Sequence, residues 1–301
     1  MRLDSCLAIE GTLMDASAEV ADSFIMIRGS KEKINMSEKD NKCRGSKYWM
    51  QKIANEPNIM GAVKDTLGCG SLNWISPLKD SYKEYQLNSE AIKKMIPELK
   101  DVKFSNIWPT KGPVWDGIAF SQEQHTLYLF EAKSYPGEMS SGGTDSAEGS
   151  KNRERIRKSL MITYNDLFTD EKNRCNEIMW KDKYKKIWEG KYYQLGNRLA
   201  FMHFMNNRKE DILCPNTINV KLVLINILKD DTHTGKDKES RRILLTEWEK
   251  HYRKTLWEMK YGELDKDRCI EDLEVVRIPT NVEIVYYDHE KNSFIKSKLP
   301  K

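Results

Sequence analysis

The sequence lacks long hydrophobic runs: no apolar stretch in its 301 residues approaches the roughly 18 residues that a transmembrane helix requires. The opening residues, MRLDSCLAIEG, also lack the apolar centre of a secretory signal peptide. These absences argue against a membrane partner and against export. We therefore expect a protein of the cytoplasm.

Cysteine and histidine are sparse and scattered. The six cysteines form no C-x-x-C pair, and the five histidines are isolated from one another. Neither a zinc finger nor a zinc hydrolase is indicated by such spacing. We expect reduced thiols, as is usual in a cytoplasm.

An excess of one charge sign is also missing. Fifty basic residues face 46 acidic ones, and the net charge of +4 neither requires nor excludes a nucleic acid partner. No internal repeat is visible, and hydrophobic residues make up 39% of the chain. A globular protein with a substantial core is the expectation.

The segment from Trp108 to Glu138 carries the most informative pattern that is present. Two runs rich in β-branched, aromatic and aliphatic residues, Val114–Phe120 and His125–Lys133, predict strands. The polar residues 121–124 predict the turn between them. The segment therefore indicates a β-hairpin.

Three charged residues occupy defined places on this hairpin. Asp116 lies early in the first strand, and Glu131 and Lys133 lie at the end of the second. Side chains alternate between the faces of a strand, so Glu131 and Lys133 point the same way. An Asp, a Glu and a Lys arranged like this can hold a divalent metal and an attacking water. That is the minimum apparatus for cutting a phosphodiester bond.

The position of Asp116 depends on the pairing register. If Phe120 pairs with His125, Asp116 lies opposite Leu129 and one diagonal step, roughly 7–8 Å, from Glu131. A slip of one residue would send Asp116 to the other face of the sheet.

The Glu-x-Lys spacing recurs elsewhere and is weak evidence by itself. Glu189–Lys191 and Glu258–Lys260 repeat it, and Asp101–Lys103 has the Asp form. Only Glu131–Lys133 closes an apolar strand that follows a correctly phased Asp. Burying unpaired charge is costly, so charges in that place indicate a function. We expect the Glu189 and Glu258 copies at the solvated surface.

The ordered set Pro113, Asp116, Glu131 and Lys133 resembles the signature of the PD-(D/E)XK nuclease superfamily. One departure is that two residues separate the Pro from the Asp. The wider pattern WP-x-x-GP-x-WDGIA, EAK and later YYQLGNRLAF is similar to a prokaryotic group of that superfamily. The resemblance covers about half of the chain, from Leu78 to Asp230.

This resemblance implies an α/β fold with a restriction-endonuclease-like core, in which a helix, a three-stranded meander, a helix and a fourth strand (αβββαβ) build a mixed central sheet flanked by helices. It implies Mg²⁺- or Mn²⁺-dependent hydrolysis of DNA. Asp116 and Glu131 would bind the metal with the Ala132 carbonyl as a third ligand, and Lys133 would act on the attacking water or the transition state. A module that binds nucleic acid without cutting it, and a nuclease acting on RNA, remain alternatives.

Four further residues are accessory candidates: Glu84, Glu138, Gln194 and Arg198. Glu84 precedes the hairpin on a predicted helix, and Glu138 follows the second strand. Gln194 and Arg198 are polar positions on an otherwise apolar helix. Either they cap it and face solvent, or they face the site, as a Gln-led motif does in members of the superfamily.

A basic helix follows the Gly/Ser-rich segment 136–150, which we expect to form a mobile loop at the mouth of the site. The helix KNRERIRKSLMITYNDLF begins some dozen residues after the hairpin. Its basic side chains could contact phosphate or could form a solvated face. The candidates for binding nucleic acid are Lys151, Arg153, Arg155, Arg157 and Lys158.

The rest of the chain predicts further helices and strands. SFIMIRGS predicts a strand, and helices are predicted from Ser46, from Pro57 to near Gly68, over SPLKDSYKEYQ and after Ser89. NVKLVLINIL predicts a buried strand, and a helix and a hairpin (LEVVRIPTNVEIVYYD) close the chain. We expect residues 1–75 to form a peripheral, largely helical extension packed on a nuclease-like domain, residues 76–301. DNA is the expected partner, and a homodimer stays open.

Overall fold

The computed structural model describes residues 44–109, 112–140, 142–144, 146–232, 242–265 and 267–301. The strand predicted over SFIMIRGS lies outside these residues. The described cysteines, Cys69, Cys175, Cys214 and Cys269, are free thiols. Within the described ranges no helix combines the length and the apolar character needed to cross a membrane.

Helices and strands alternate irregularly along the chain. In order they are α1 (Gly45–Asn55), α2 (Pro57–Leu67), β1 (Asn73–Ser76), β2 (Tyr85–Gln86), α3 (Glu90–Met95), β3 (Val114–Trp115), β4 (Gly117–Ser121), β5 (Thr126–Lys133), α4 (Lys151–Phe168), α5 (Glu177–Met179), α6 (Tyr193–Asn207), β6 (Asn219–Leu228), α7 (Leu245–Tyr261), β7 (Val282–Asp288) and β8 (Ser293–Lys296). Two π-helical turns, Trp180–Tyr184 and Ile187–Lys191, connect α5 to α6. Short 3₁₀ turns occupy Pro97–Leu99, Phe104–Asn106, Pro136–Met139, Glu171–Asn173 and Lys209–Ile212.

A six-stranded sheet with the order β1-β4-β5-β6-β7-β8 lies at the centre. β5, β6 and β7 run parallel, and the remaining pairs are antiparallel. The connection from β5 to the parallel β6 contains α4 and α6, as parallel neighbours need a long crossover. β2 and β3 form a separate two-stranded sheet. The α/β class with a mixed central sheet flanked by helices is confirmed.

Alternation along β5 sorts its side chains between two helical layers. Tyr128, Phe130 and Ala132 belong to the core formed with α1 and α2. Leu127 and Leu129 belong to the core formed with α4, α6 and α7. Glu131 continues this second series, so its carboxyl group points towards the α4–α6 side, as the alternation predicts.

Caps fix several helix boundaries, and those at Gly68 and Ser89 match the predictions. Gly68 ends α2 in the left-handed conformation with φ 68°, where a residue without Cβ is favoured. The Ser89 hydroxyl accepts the N–H of Ile92 at the start of α3, and the Ser150 hydroxyl accepts the N–H of Arg153 at the start of α4. These contacts satisfy main-chain donors that the first turn leaves unpaired.

Two predicted elements are wrong. SPLKDSYKEYQ forms turns instead of a helix, because Tyr82 has a φ of 50° and the Asn55 side chain holds the turn through Pro77 O and Lys79 N. Glu84 therefore lies beside β2 and not on a helix. The predicted final hairpin places its first strand at 273–278, but these residues form no strand. The antiparallel partner of β7 is β8, which follows it in the chain.

The structure does not divide between residues 75 and 76. β1 spans that point and pairs with β4 in the central sheet. Residues Cys43–Lys301 form one compact unit that includes α1 and α2. The helices assigned to a peripheral extension are thus one of the two layers that cover the sheet.

The β4–β5 hairpin differs from the predicted register by two residues. Ser121 pairs with Thr126 and Gly117 with Phe130, and residues 122–125 form the turn. His125 belongs to that turn, with a φ of 46°. A shift of two residues keeps every side chain on its face. If this register continued for one more residue pair, Asp116 would lie directly opposite Glu131 and not one diagonal step away.

We expect Gly117→Ala to destabilise the protein by about 1–3 kcal/mol, because the interior around it is already filled. A Cβ at Gly117 would lie 2.7 Å from Met50 Cε and 3.2 Å from both Phe130 Cβ and Trp74 Cζ3. Urea unfolding measures the change. Gly61→Ala is the matched control, because a Cβ there meets no atom within 4 Å and should stabilise α2 by about 0.5–1 kcal/mol. Equal effects of the two changes would contradict this account of the packing around Gly117.

Candidate active site

Glu131 is the centre of the site. Its side chain is 4% exposed, and its two oxygens bind two different cations. Oε1 accepts a hydrogen bond from Lys133 Nζ at 2.5 Å, and Oε2 accepts one from Arg198 Nε at 2.7 Å. Burial opposes the charge of Glu131, but Arg198 and Lys133 outweigh it and hold the pKa of Glu131 below its ordinary value. Glu131 is therefore a carboxylate at neutral pH.

Lys133 connects the strand to helix α6. Its Nζ donates to Glu131 and also to Gln194 Oε1, at 2.9 Å. Burial alone would lower the pKa of Lys133, but the negative charges of Glu131 and Asp116 raise it. Lys133 is thus a cation held in a fixed orientation between two elements.

Arg198 is enclosed by the site. Its side chain is 5% exposed, its Nη2 donates to Val114 O at 2.7 Å, and its Nη1 donates to Asn197 Oδ1 at 2.9 Å. The guanidinium lies over the Trp115 ring, 4.6 Å from the ring centroid. The structure therefore brings both Gln194 and Arg198 to the site and not to the solvent.

Asp116 lies at the break between β3 and β4. Its Oδ2 accepts a hydrogen bond from the Ala132 N–H at 2.8 Å. Burial and the neighbouring charge of Glu131 raise the pKa of Asp116 to about 7, against the opposing effects of Lys133, Arg198 and the Ala132 N–H. The two carboxyl groups therefore differ in their readiness to ionise, although they are neighbours.

A cavity of about 570 Å³ opens beside these groups. Glu84 is among its lining residues, and burial together with repulsion from Glu131 raises the pKa of Glu84. Four further lining residues were not predicted as site residues: Trp108, Gly112, Tyr193 and Asn197. Their signal is their place in the two patterns WP-x-x-GP and YYQLGNRLAF.

Glu138 has a local partner. Its oxygens accept hydrogen bonds from the Ser134 N–H at 2.8 Å and the Ser134 hydroxyl at 3.1 Å. Its negative charge also contributes to the raised pKa of Lys133. Glu138 thus fixes the chain as it leaves β5.

The donors in the site fit a hard cation such as Mg²⁺. Asp116 and Glu131 offer carboxylate oxygens. The Ala132 N–H donates to Asp116, and the Ala132 carbonyl lies on the same edge of β5 as that N–H. Mg²⁺ prefers oxygen ligands and retains several waters. In the described part of the chain no three His, Cys, Asp or Glu side chains come together as a metal-binding group. A cation here would depend on two carboxylates, main-chain oxygen and water.

The basic helix α4 divides into two sets of side chains. Arg153 Nε and Arg157 Nε donate to the two oxygens of Glu189 at 2.7 and 2.9 Å, so both are engaged inside the protein. Arg157 also donates to Glu148 at 2.5 Å. The phosphate contact predicted for these two arginines would require breaking buried ion pairs, which is costly. For the other basic residues of α4 it stays a prediction: the exposed Lys151 and Lys158 and the half-buried Arg155.

The prediction that the other Glu-x-Lys copies lie at the surface is wrong. Glu189 is 2% exposed, and its carboxylate also accepts a hydrogen bond from Trp180 Nε1 at 2.7 Å. Glu258 is 1% exposed and accepts Lys191 Nζ and the Tyr192 hydroxyl. Each has partners that neutralise it. Glu148 shares Arg153 and Arg157 with Glu189, but the Glu148 side chain is exposed.

The comparisons with known proteins give no relative: no family model matches the chain, and neither a curated protein nor a solved structure matches it. The geometry of the site is therefore the basis for assigning a function.

We expect Asp116→Asn to stabilise the protein increasingly as pH rises from about 4 to about 7, and by a constant amount above that. The folded pKa of Asp116 is raised from 3.8 to about 7, so the folded state holds a proton that the unfolded state has lost, and wild-type stability falls across this window. Because the cavity admits water, we expect about 2 kcal/mol at pH 8, roughly half of the full shift.

Urea unfolding at several pH values measures this difference. The exposed Asp101 is the control, and Asp101→Asn should follow the wild-type profile throughout. A gap between wild type and Asp116→Asn that is the same at pH 4.5 and pH 8 would contradict the interpretation.

Proposed function

We propose that the protein is a metal-dependent nuclease that hydrolyses phosphodiester bonds in DNA. The observation that carries the proposal is the convergence of Asp116 with Glu131 and Lys133, which lie at the end of β5, beside a cavity that Asp116 lines. Structural ion pairs also bury charge, as Glu189 and Glu258 do here. The site differs from them because burial and the neighbouring charge of Glu131 raise the pKa of the second acid, Asp116, to about 7.

The order of the elements supports the finer fold assignment. β1, β4 and β5 form an antiparallel meander, and β6 follows the helices α4 and α6 and lies parallel to β5. This is the arrangement that a PD-(D/E)XK core, αβββαβ, would have. We include that core in the proposal.

Asp116 and Glu131 would hold Mg²⁺ or Mn²⁺, with the Ala132 carbonyl beside them. When bound, such an ion lowers the pKa of a water ligand and offsets negative charge on the phosphate. Lys133 keeps its proton, because Glu131 and Asp116 raise its pKa. It therefore donates a hydrogen bond to the attacking water or to a phosphate oxygen, and does not act as the base. Gln194 holds the ammonium in place, and Arg198 positions the Glu131 carboxylate.

One observation favours the alternative, a nucleic-acid-binding module that does not cut. Both oxygens of Glu131 already accept hydrogen bonds from cations. These bonds do not exclude a metal ion, however, because a carboxylate has about four acceptor positions and can bind a further ligand. An assay with plasmid, linear DNA and RNA in Mg²⁺, Mn²⁺ or EDTA separates these possibilities.

We expect Lys133→Ala to lower the cleavage rate by roughly 10²–10³-fold, because it removes a charged donor aimed at the reacting phosphate. Asp116→Ala should abolish cleavage. Glu131→Ala is less informative, because it would leave two buried cations without a partner and destabilise the fold. Initial rates on supercoiled plasmid measure the effect.

Lys260 is the control for this experiment. It holds the same place in Glu258–Lys260 as Lys133 does in Glu131–Lys133, and its Nζ lies 3.8 Å from the exposed Glu274 carboxylate. Lys260→Ala should cut at the wild-type rate. Wild-type cleavage by Asp116→Ala would overturn the assignment of the site.

We expect replacement of Lys151, Arg155 and Lys158 by Gln to weaken binding of duplex DNA and to reduce the salt slope, by about one unit for each phosphate interaction that the replacement removes. The effect should be the same for all sequences, because phosphate contacts do not distinguish bases. Fluorescence anisotropy across a salt series, in Ca²⁺ to suppress cutting, measures both quantities.

A second triple variant removes the same charge elsewhere: Lys100, Lys296 and Lys298, all exposed, replaced by Gln. If the two triple variants change the slope equally, α4 has no special role in binding DNA.

A further inference from the structure

The cavity at the site is lined by two chemically different sets of residues. The polar set is Glu84, Asp116, Gln194, Asn197 and Arg198. The apolar and aromatic set is Trp108, Pro113, Val114 and Tyr193. Binding and cutting a phosphate requires the polar set only. The apolar set therefore indicates that another part of the substrate enters the cavity.

Tyr193 is the residue of the apolar set best suited to bind a flat ligand. Its ring stacks on Trp108, with centroids 6.3 Å apart and planes inclined by 25°. Trp108 is only 3% exposed and packs edge-on against Phe201, at 5.5 Å. Trp108 therefore supports the Tyr193 ring from the protein interior, while Tyr193 itself lines the cavity.

The hydroxyl end of the Tyr193 side chain lies beside polar groups. The side chains of Thr144 and Asn197 oppose the rise that burial causes in the pKa of Tyr193, and Asn197 lies one turn further along α6. Asn197 in turn accepts a hydrogen bond from Arg198, the residue that positions Glu131. The aromatic ring and the charged groups of the site therefore lie close together. A ligand stacked on Tyr193 would lie in a defined place relative to Asp116.

The flat group available in a nucleic acid is a base. In an intact duplex each base is stacked on its neighbours, and a base enters a protein pocket only after it leaves the stack. The cavity of about 570 Å³ has the size of a small-molecule site, roughly 300–1,000 Å³. It accommodates one nucleotide, whereas a stacked base pair continues into the duplex on both sides.

We propose that the site takes an unpaired nucleotide of single-stranded DNA, with its base stacked on Tyr193 and its phosphate directed towards Asp116 and Lys133. This inference rests on the nuclease function proposed above and specifies its substrate. Stacking on an aromatic side chain is tolerant of sequence, because every base has a π-face. The enzyme would therefore select strandedness and not sequence.

Anisotropy with the full-length protein tests this inference. The probe is a labelled 20-nucleotide strand of mixed sequence, used alone and annealed into a blunt duplex, in Ca²⁺. We expect wild type to bind the single strand more tightly than the duplex. Tyr193→Ala should weaken single-strand binding roughly 5- to 150-fold, the range for removal of one stacking aromatic, and Tyr193→Phe should stay within about 2-fold of wild type because it keeps the ring.

Two controls separate stacking from general damage. Tyr193→Leu keeps an apolar side chain without a π-face and should behave like Tyr193→Ala, whereas Tyr261→Ala removes a tyrosine that contacts Trp257 and Glu274 and should bind normally. A strand of abasic nucleotides has the phosphates without the bases. Its binding should be weak and unaffected by Tyr193→Ala.

Equal affinity of wild type for single strand and duplex, or unchanged single-strand binding by Tyr193→Ala, would overturn the inference. Cleavage of plasmid that Asp116→Ala abolishes would then still support the nuclease function. Conversely, no cleavage of either substrate in Mg²⁺ or Mn²⁺, with the Tyr193 effect on binding intact, would overturn the nuclease function and support the base-stacking site.

Discussion

The ion pair between Glu131 and Arg198 is the contact on which the arrangement of the site depends. It joins strand β5 to helix α6 across 67 positions of the chain. The same guanidinium holds the carbonyl of Val114 and covers the Trp115 ring, so β3 is tied to the same point. A buried charge without a partner is costly. The sheet, the helix and the short strand are consequently held in one geometry, and Asp116, which follows β3, takes its place from it.

The electrostatic consequence is that two neighbouring acids have pKa values shifted in opposite directions. Glu131 has two cations bound to it and stays ionised, whereas Asp116 has a main-chain N–H and a pKa near 7. Two adjacent carboxylates that were both ionised would repel each other. Here Glu131 stays ionised, whereas the charge of Asp116 is neutralised by a proton or balanced by a positive ligand. The protonation of Asp116 therefore changes when a cation binds at this site.

Local patterns predicted much of the fold but little of what holds the site together. α4, with its Ser150 cap, and the strand β6 follow their sequence signals, because caps and periodicity act over a few residues. The hairpin register differs from the predicted one by two residues. The predicted site residues still share one face, because side chains alternate between faces with a period of two residues. Glu189 and Glu258 were predicted at the surface because their partners are remote: Arg153 lies 36 positions from Glu189, and Lys191 lies 67 from Glu258. Long-range pairing of this kind leaves no mark in the spacing of residues.

The outer strands of the sheet affect how copies of the protein can associate. β1, at one edge, has an irregular register between Trp74 and Ser76. β8, at the other, is four residues long and ends in a lysine. Bulged, short or charged edges discourage pairing with a strand of another molecule. Continuous sheet formation between copies, the usual route to fibrils, is disfavoured at both described edges, so a functional dimer would form through side-chain contacts.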